Sequence, residues 1–212
     1  MRNLLKKEFS FTALPLCYLF LGFSLLTLVP GYPIAVGSFF LCLGLFQSML
    51  SRREQNDLTY TLLLPVSKKE IVRANYLFTT ALQLVYLLLC ALLTGFRALC
   101  LPEVPAYLHN PMMNANPGYL GCLLLVFLCF NLLVLGGYWK TGYDLGKPFV
   151  FFSIAAFLVI ALGEALHHFP GLEALNAPAG GISVLLPAIP AYGIGTWLSL
   201  KASQKRFEQV DL

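Results

Sequence analysis

Six long apolar runs, at roughly 11–29, 33–50, 71–96, 118–138, 148–166 and 182–200, take up most of this chain. Each is long enough as a helix, at ~1.5 Å per residue, to cross a ~30 Å hydrocarbon core. Lipid offers no partner to backbone N–H and C=O groups, so such runs predict helices rather than open sheet or loop. Only 11% of the residues are charged, against about a quarter in a soluble domain. The expected fold is an all-α integral membrane protein with six transmembrane helices in a single transmembrane domain, 1–212. No soluble catalytic domain is expected within these residues. The first run is expected to be a span and not a leader. It exceeds the ~7–15 apolar residues of a signal peptide, and Pro30-Gly31-Tyr32-Pro33 follows it in place of a small-residue cleavage site.

Placement of lysine and arginine orients the spans. If the N-terminus is cytoplasmic, 13 of the 14 basic residues fall on that side, and Arg97 alone lies outside. Both termini are therefore expected to be cytoplasmic. The net charge of +4 is then explained by anchors beside anionic headgroups, without nucleic acid. Six scattered cysteines show no metal-ligand spacing and read as small core residues.

One segment breaks the pattern. Residues 51–73 carry Arg52, Arg53, Glu54, Asp57, Lys68, Lys69, Glu70 and Arg73, 8 of the 24 charges. Asn56 or Asp57 can cap a short helix through Leu58–Leu64 that Pro65 stops. Ser67-Lys68-Lys69-Glu70 has the spacing of a capping box, which starts the third span in water. Leu58, Tyr60, Leu62 and Leu63 are apolar anchors inside a charged rim, the usual anatomy of a docking surface. Ahead of the first span, Met1, Leu4, Leu5 and Phe9 share one helical face, with Arg2, Lys6 and Lys7 away from it. Such a helix suits the membrane interface.

The third span also carries a polar stripe. Asn75, Thr79, Gln83, Tyr86, Cys90, Thr94 and Arg97 recur every three or four residues on one face. Polar groups facing lipid are costly, so this face is expected to meet other helices, a subunit interface or a substrate path. Ala191, Gly195 and Ser199 in the last span form a small-residue ridge suited to close packing.

Catalytic chemistry is sparse. Gly142-Tyr143-Asp144-Leu145-Gly146-Lys147-Pro148 has one residue too few for a P-loop, and Pro148 stands where the Mg²⁺-binding hydroxyl belongs. No cofactor is expected on this chain; any ATP and Mg²⁺ would be held by a partner. Glu164, His167 and His168 have helical spacing, so a membrane-embedded metalloenzyme is the alternative reading. Their order is not His-Glu-x-x-His, and an ordinary interfacial helix end also explains them.

Three segments carry a family resemblance. Glu54-Gln55-Asn56-Asp57 precedes Leu64-Pro65-Val66-Ser67-Lys68-Lys69-Glu70-Ile71-Val72. Gly137-Tyr138-Trp139-Lys140-Thr141-Gly142-Tyr143 follows the fourth span, and Arg206-Phe207-Glu208-Gln209-Val210-Asp211-Leu212 ends the chain. With the order of spans, these make the chain resemble the ABC-2 exporter permeases, above all six-span subunits of bacterial peptide and drug exporters such as those for phenol-soluble modulins. The resemblance implies a multi-pass protein of the bacterial cytoplasmic membrane, without catalysis of its own. It implies two partners, an ABC ATPase subunit and a second permease copy, identical or related. Residues 51–70 would be the coupling segment, with Arg52, Arg53, Glu54, Asp57, Leu58, Tyr60, Leu62 and Leu63 meeting the ATPase. Asn75, Thr79, Gln83, Tyr86 and Thr94 would line a substrate path or the subunit interface. The implied cargo is an amphipathic peptide or another hydrophobic substrate.

Overall fold

A computed structural model describes residues 1–166, 168–169 and 178–210, with only the backbone of Pro178. All regular elements among them are helical. A short helix α1, Arg2–Lys7, continues as a π-helical turn to Thr12. Pro15 then forces a break, because a proline pushes the preceding residue out of the helical region; Leu14 is extended at ψ 146°. Helix α2, Pro15–Leu19, passes into nine residues of 3₁₀ helix, Phe20–Leu28, and the two arms meet at 87°. The bend falls near the start of the expected run 11–29, most of which is the arm Pro15–Leu28. The 3₁₀ winding rises ~2.0 Å per residue, which lengthens that arm.

Helix α3 covers Val36–Glu54, α4 Asp57–Leu62 and α5 Lys68–Cys100. A one-turn α6, Pro105–Leu108, lies in the following loop. Then come α7, Pro117–Phe130, a π-helical segment Asn131–Leu135, and α8, Gly136–Thr141, in one continuous rod. Helices α9, Gly146–Leu166, and α10, Pro178–Glu208, finish the bundle.

Contacts at the two ends fix the course of the chain. At one end, Arg97 of α5 donates to the Thr27 carbonyl at 2.6 Å and to Asn114 at 3.0 Å, and it lies 3.9 Å over the Tyr107 ring. The Met113 amide donates to Glu164 at the end of α9, while Gly118 and Gly181 meet backbone to backbone. At the other end, Arg52 meets Glu8, Lys68 donates to the Val210 carbonyl, and Trp139 packs edge-on against Phe207. Among the described residues, the N-terminal helix, residues 51–70 and the end of α10 therefore share one end of the bundle.

Four helical stretches are long and apolar enough to cross a membrane: Lys68–Cys100, Pro117–Thr141, Gly146–Leu166 and Ala179–Glu208. A fifth qualifies if the bent pair Arg2–Thr12 and Pro15–Leu28 is one span. Helix α3, placed over the expected run 33–50, is not among them. Ser51, Arg52, Arg53 and Glu54 occupy its last turn, which leaves a shorter apolar length.

Close packing holds the bundle. A Cβ on Gly181 would sit 2.6 Å from the Gly118 nitrogen, and one on Gly195 would sit 2.5 Å from Leu128. The small-residue ridge of α10 is thus used against α7 of the same chain. Cys17, Cys42, Cys90 and Cys122 are buried, and all six cysteines are free thiols.

Candidate coupling site

Residues 51–70 fold into a helix end, a tight turn, a short helix and a new helix start. Asn56 adopts a left-handed φ of 51°, which asparagine tolerates better than most residues. It precedes α4 without a side-chain cap bond, so the expected cap is a backbone turn instead. After Pro65 the capping box forms as its spacing foretells. Ser67 Oγ accepts the Glu70 N–H at 3.2 Å, and Glu70 Oε2 accepts the Ser67 N–H at 3.2 Å. Those bonds hold the Glu70 carboxyl below its ordinary range.

A charged clamp fixes this segment to the N-terminal helix. Arg52 Nη1 lies 3.2 Å from Glu8 Oε2, and Arg52 Nε donates to Asp57 Oδ2 at 3.2 Å. Lys7 Nζ reaches Asp57 at 2.7 Å and also donates to Thr61 Oγ1. Burial by itself disfavours the Arg52 charge. Glu8, Tyr138 and Asp57 outweigh it, and the net displacement of its pKa is upward. Phe9, the residue after Glu8, packs edge-on against Phe78 of α5 at 5.0 Å. Of the apolar face of the first helix, Leu4 is buried and Leu5 half-buried against protein, while Met1 and Phe9 stay exposed.

The clamp divides the sequence-derived docking residues into two sets. Arg52 and Leu58 point inward and are buried, Leu62 is half-buried, and Asp57 is tied to Lys7 and Arg52. Tyr60 and Leu63 are 67% and 79% exposed, and Leu64 and Glu54 also face out. Arg53 lies 5.2 Å from the centre of the exposed Tyr143 ring in the turn before α9. An exposed apolar ridge with charges at its margin is what a groove on a soluble partner can bury. Glu8 and Lys7 were absent from the expected site. The available signal was that Glu8 is the only acidic residue before Glu54.

The polar stripe continues from the capping box through the bundle. Asn75, Thr79, Gln83, Tyr86, Cys90 and Arg97 are all buried and Thr94 is half-buried. Gln83 exchanges two amide hydrogen bonds with Asn131, at 2.9 and 3.0 Å, and accepts the Tyr192 hydroxyl at 2.8 Å. Asn131 opens the π-helical segment of α7, a type of irregularity frequent at functional positions. Tyr76, not part of the expected stripe, hydrogen-bonds Ser199 and Ser203 of α10, each at 2.8 Å. The stripe therefore joins α5 to α7 and α10 within this chain.

Near the far end, an apolar cleft of about 450 Å³ lies between α3 and α9, lined by Val36, Phe39, Phe157, Ile160 and Glu164 among others. Glu164 Oε2 accepts the Met113 N–H at 2.8 Å, and Oε1 has no hydrogen-bond partner among the described residues. Of the alternative metal trio, His167 lies outside the described residues. Among the described residues, no group of three or more His, Cys, Asp or Glu side chains could hold a metal ion.

A family model described as ABC-2 family transporter protein matches residues 3–207. No curated protein and no solved structure matches the chain.

Proposed function

Because the chain belongs to the ABC-2 family of transporter proteins, whose membrane subunits are typically not themselves catalytic, we propose that it is the permease half of an ATP-driven exporter. The ATPase is a separate subunit, and two permease copies complete the assembly. The end of the bundle that gathers 13 of 14 basic residues faces the cytoplasm, where positive charge is retained. All six passes cross the bacterial cytoplasmic membrane.

The observation that carries this reading is the exposed ridge of Tyr60, Leu63 and Leu64 on a segment clamped to the membrane domain. A docking element must be exposed to its partner and rigidly joined to what it moves. The Ser67–Glu70 box connects it to α5, whose 33 residues extend about 50 Å. Closure of the ATPases would displace α4, and α5 would pass the motion to the helices bonded through Gln83, Asn131 and Tyr76. The apolar cleft between α3 and α9, with a lone carboxylate, suits a hydrophobic or amphipathic cargo, and export of an amphipathic peptide is the reading we favour.

The test is purification of the detergent-solubilised protein from its native host, with identification of co-purifying subunits and their ratio. A P-loop ATPase at one copy per permease supports the assignment. Permease recovered without any ATPase, under conditions in which it stays folded, overturns it.

A further inference from the structure

A second hollow, of about 360 Å³, lies where α8 gives way to α9. Lys140 from the last turn of α8 and Lys147 from the first turn of α9 line it, with Thr141 and Asp144 between them in sequence. Gly142, at φ 72°, reverses the chain so that the two helix ends face each other. Thr141 Oγ1 accepts the N–H groups of Tyr143 and Asp144 at 3.2 and 2.9 Å, which leaves its own hydroxyl hydrogen to donate. Neither lysine is in any ion pair or hydrogen bond among the described residues, and Asp144 has no ion-pair partner there.

The rest of the wall is apolar: Leu133, Pro148 and Phe151. Phe151 begins an uncovered apolar face on α9 that continues through Ile154, Phe157 and Leu158, each more than half exposed. Two free cations therefore sit at the end of a membrane-crossing helix, directly beside a surface that acyl chains would cover.

We propose that this hollow holds the headgroup of an anionic phospholipid with a hydroxylated head, of the phosphatidylglycerol class. The phosphodiester lies between Lys140 and Lys147, and the head hydroxyls meet Asp144 and Thr141. The acyl chains follow Phe151 and Ile154 along α9. Basic pockets at helix ends are a recurrent mode of anionic-lipid recognition, and the half-apolar wall favours a lipid over a free phosphate. Asp144 disfavours a head carrying further negative charge and accepts bonds from hydroxyls.

The test uses the full chain in neutral detergent, titrated with phosphatidylglycerol, phosphatidylcholine of the same acyl chains, or glycerol phosphate, with bound molecules counted by native mass spectrometry. Retention of phosphatidylglycerol over phosphatidylcholine is expected to fall several-fold in K140Q/K147Q. It should persist in K201Q/K205Q, which removes the same charge from exposed positions on α10. F151N should weaken the lipid alone. Thermal melts of each variant, matched to the parent, separate loss of binding from loss of fold. Equal loss in both lysine pairs would reduce the effect to diffuse attraction. Unchanged retention in K140Q/K147Q, or glycerol phosphate bound as firmly as the lipid, would overturn the proposal.

Discussion

Arg52 Nη1 and Glu8 Oε2 lie 3.2 Å apart, and their side chains are only 3% and 2% exposed. This pair joins the first helix to the last turn of α3, so the N-terminus and the candidate coupling segment form one body. Breaking a buried pair leaves a charge without its partner, at a cost of about 3–5 kcal/mol. Glu8→Ala is expected to lower the melting temperature sharply and to free the α4 segment to proteolysis. Glu8→Leu with Arg52→Met should recover much of the loss, because apolar replacement of both partners removes the stranded charge while Lys7 keeps Asp57 paired. A double variant as unstable as the single would show that the pair is not the source.

Exposure within α4 separates docking from folding. Tyr60→Asp with Leu63→Asp is expected to leave the melting temperature near that of the parent, since both side chains are already in water. It should abolish ATPase co-purification and transport, because the apolar anchors of an interface carry most of its binding energy. Leu58→Asp behaves differently. Leu58 is 7% exposed and belongs to the core, so this variant is expected to lose fold and partner together. Pull-down and melting of the two variants side by side check the contrast. ATPase retained by the Tyr60 and Leu63 variant would remove α4 as the docking element.

Local signals in the sequence were legible where one residue's chemistry decides the outcome. Ser67 and Glu70 at a spacing of three specify the capping box, and a period of three to four residues from Asn75 to Arg97 specifies a buried face. The family was legible as well, because the 54–72 and 137–143 segments are local patterns. What escaped depends on neighbours distant in the chain. Arg52 reads as a surface cation until Glu8, 44 residues earlier, is placed beside it. Leu58 and Leu63 are alike in sequence, and only the packing of α4 against α3 turns one inward. The break at Ala13–Leu14 is encoded by Pro15, whose restraint on the preceding residue is masked by the long apolar run around it. The nine-residue 3₁₀ helix that follows has no local sequence signature that we can identify.

Gln83 and Asn131 satisfy each other with two hydrogen bonds and are both fully buried. Asn131→Ala strands the Gln83 amide, which costs about 1–3 kcal/mol. Gln83→Leu with Asn131→Leu is expected to restore stability, but also to remove the polar link from α5 to Tyr192 and Thr196 of α10. If α5 transmits motion through this link, the double variant stays folded and keeps its ATPase while transport falls. Thermal melting, co-purification and transport measured on the same preparations check this. Full transport in the double variant would limit the pair to a structural role.

Glu70 gives the candidate coupling segment a defined response to acid. Bonds from the Ser67 backbone, then from its hydroxyl, hold the Glu70 carboxyl below the ordinary value of 4.5. A carboxyl displaced in that direction contributes its stabilisation in full above the ordinary value and loses it as pH falls through the lower, folded value. Glu70→Ala is therefore expected to melt below the parent by a constant margin from pH 7 down to about 5. That margin should shrink in more acidic solution, as the parent's own cap becomes protonated. Glu70→Gln, which can still accept the Ser67 N–H, should lie between the two at neutral pH and show no such narrowing. Melting curves of the three proteins from pH 7 to pH 3 check the expectation. A Glu70→Ala margin that stays unchanged to pH 3 would mean that the carboxylate's charge adds nothing to the start of α5.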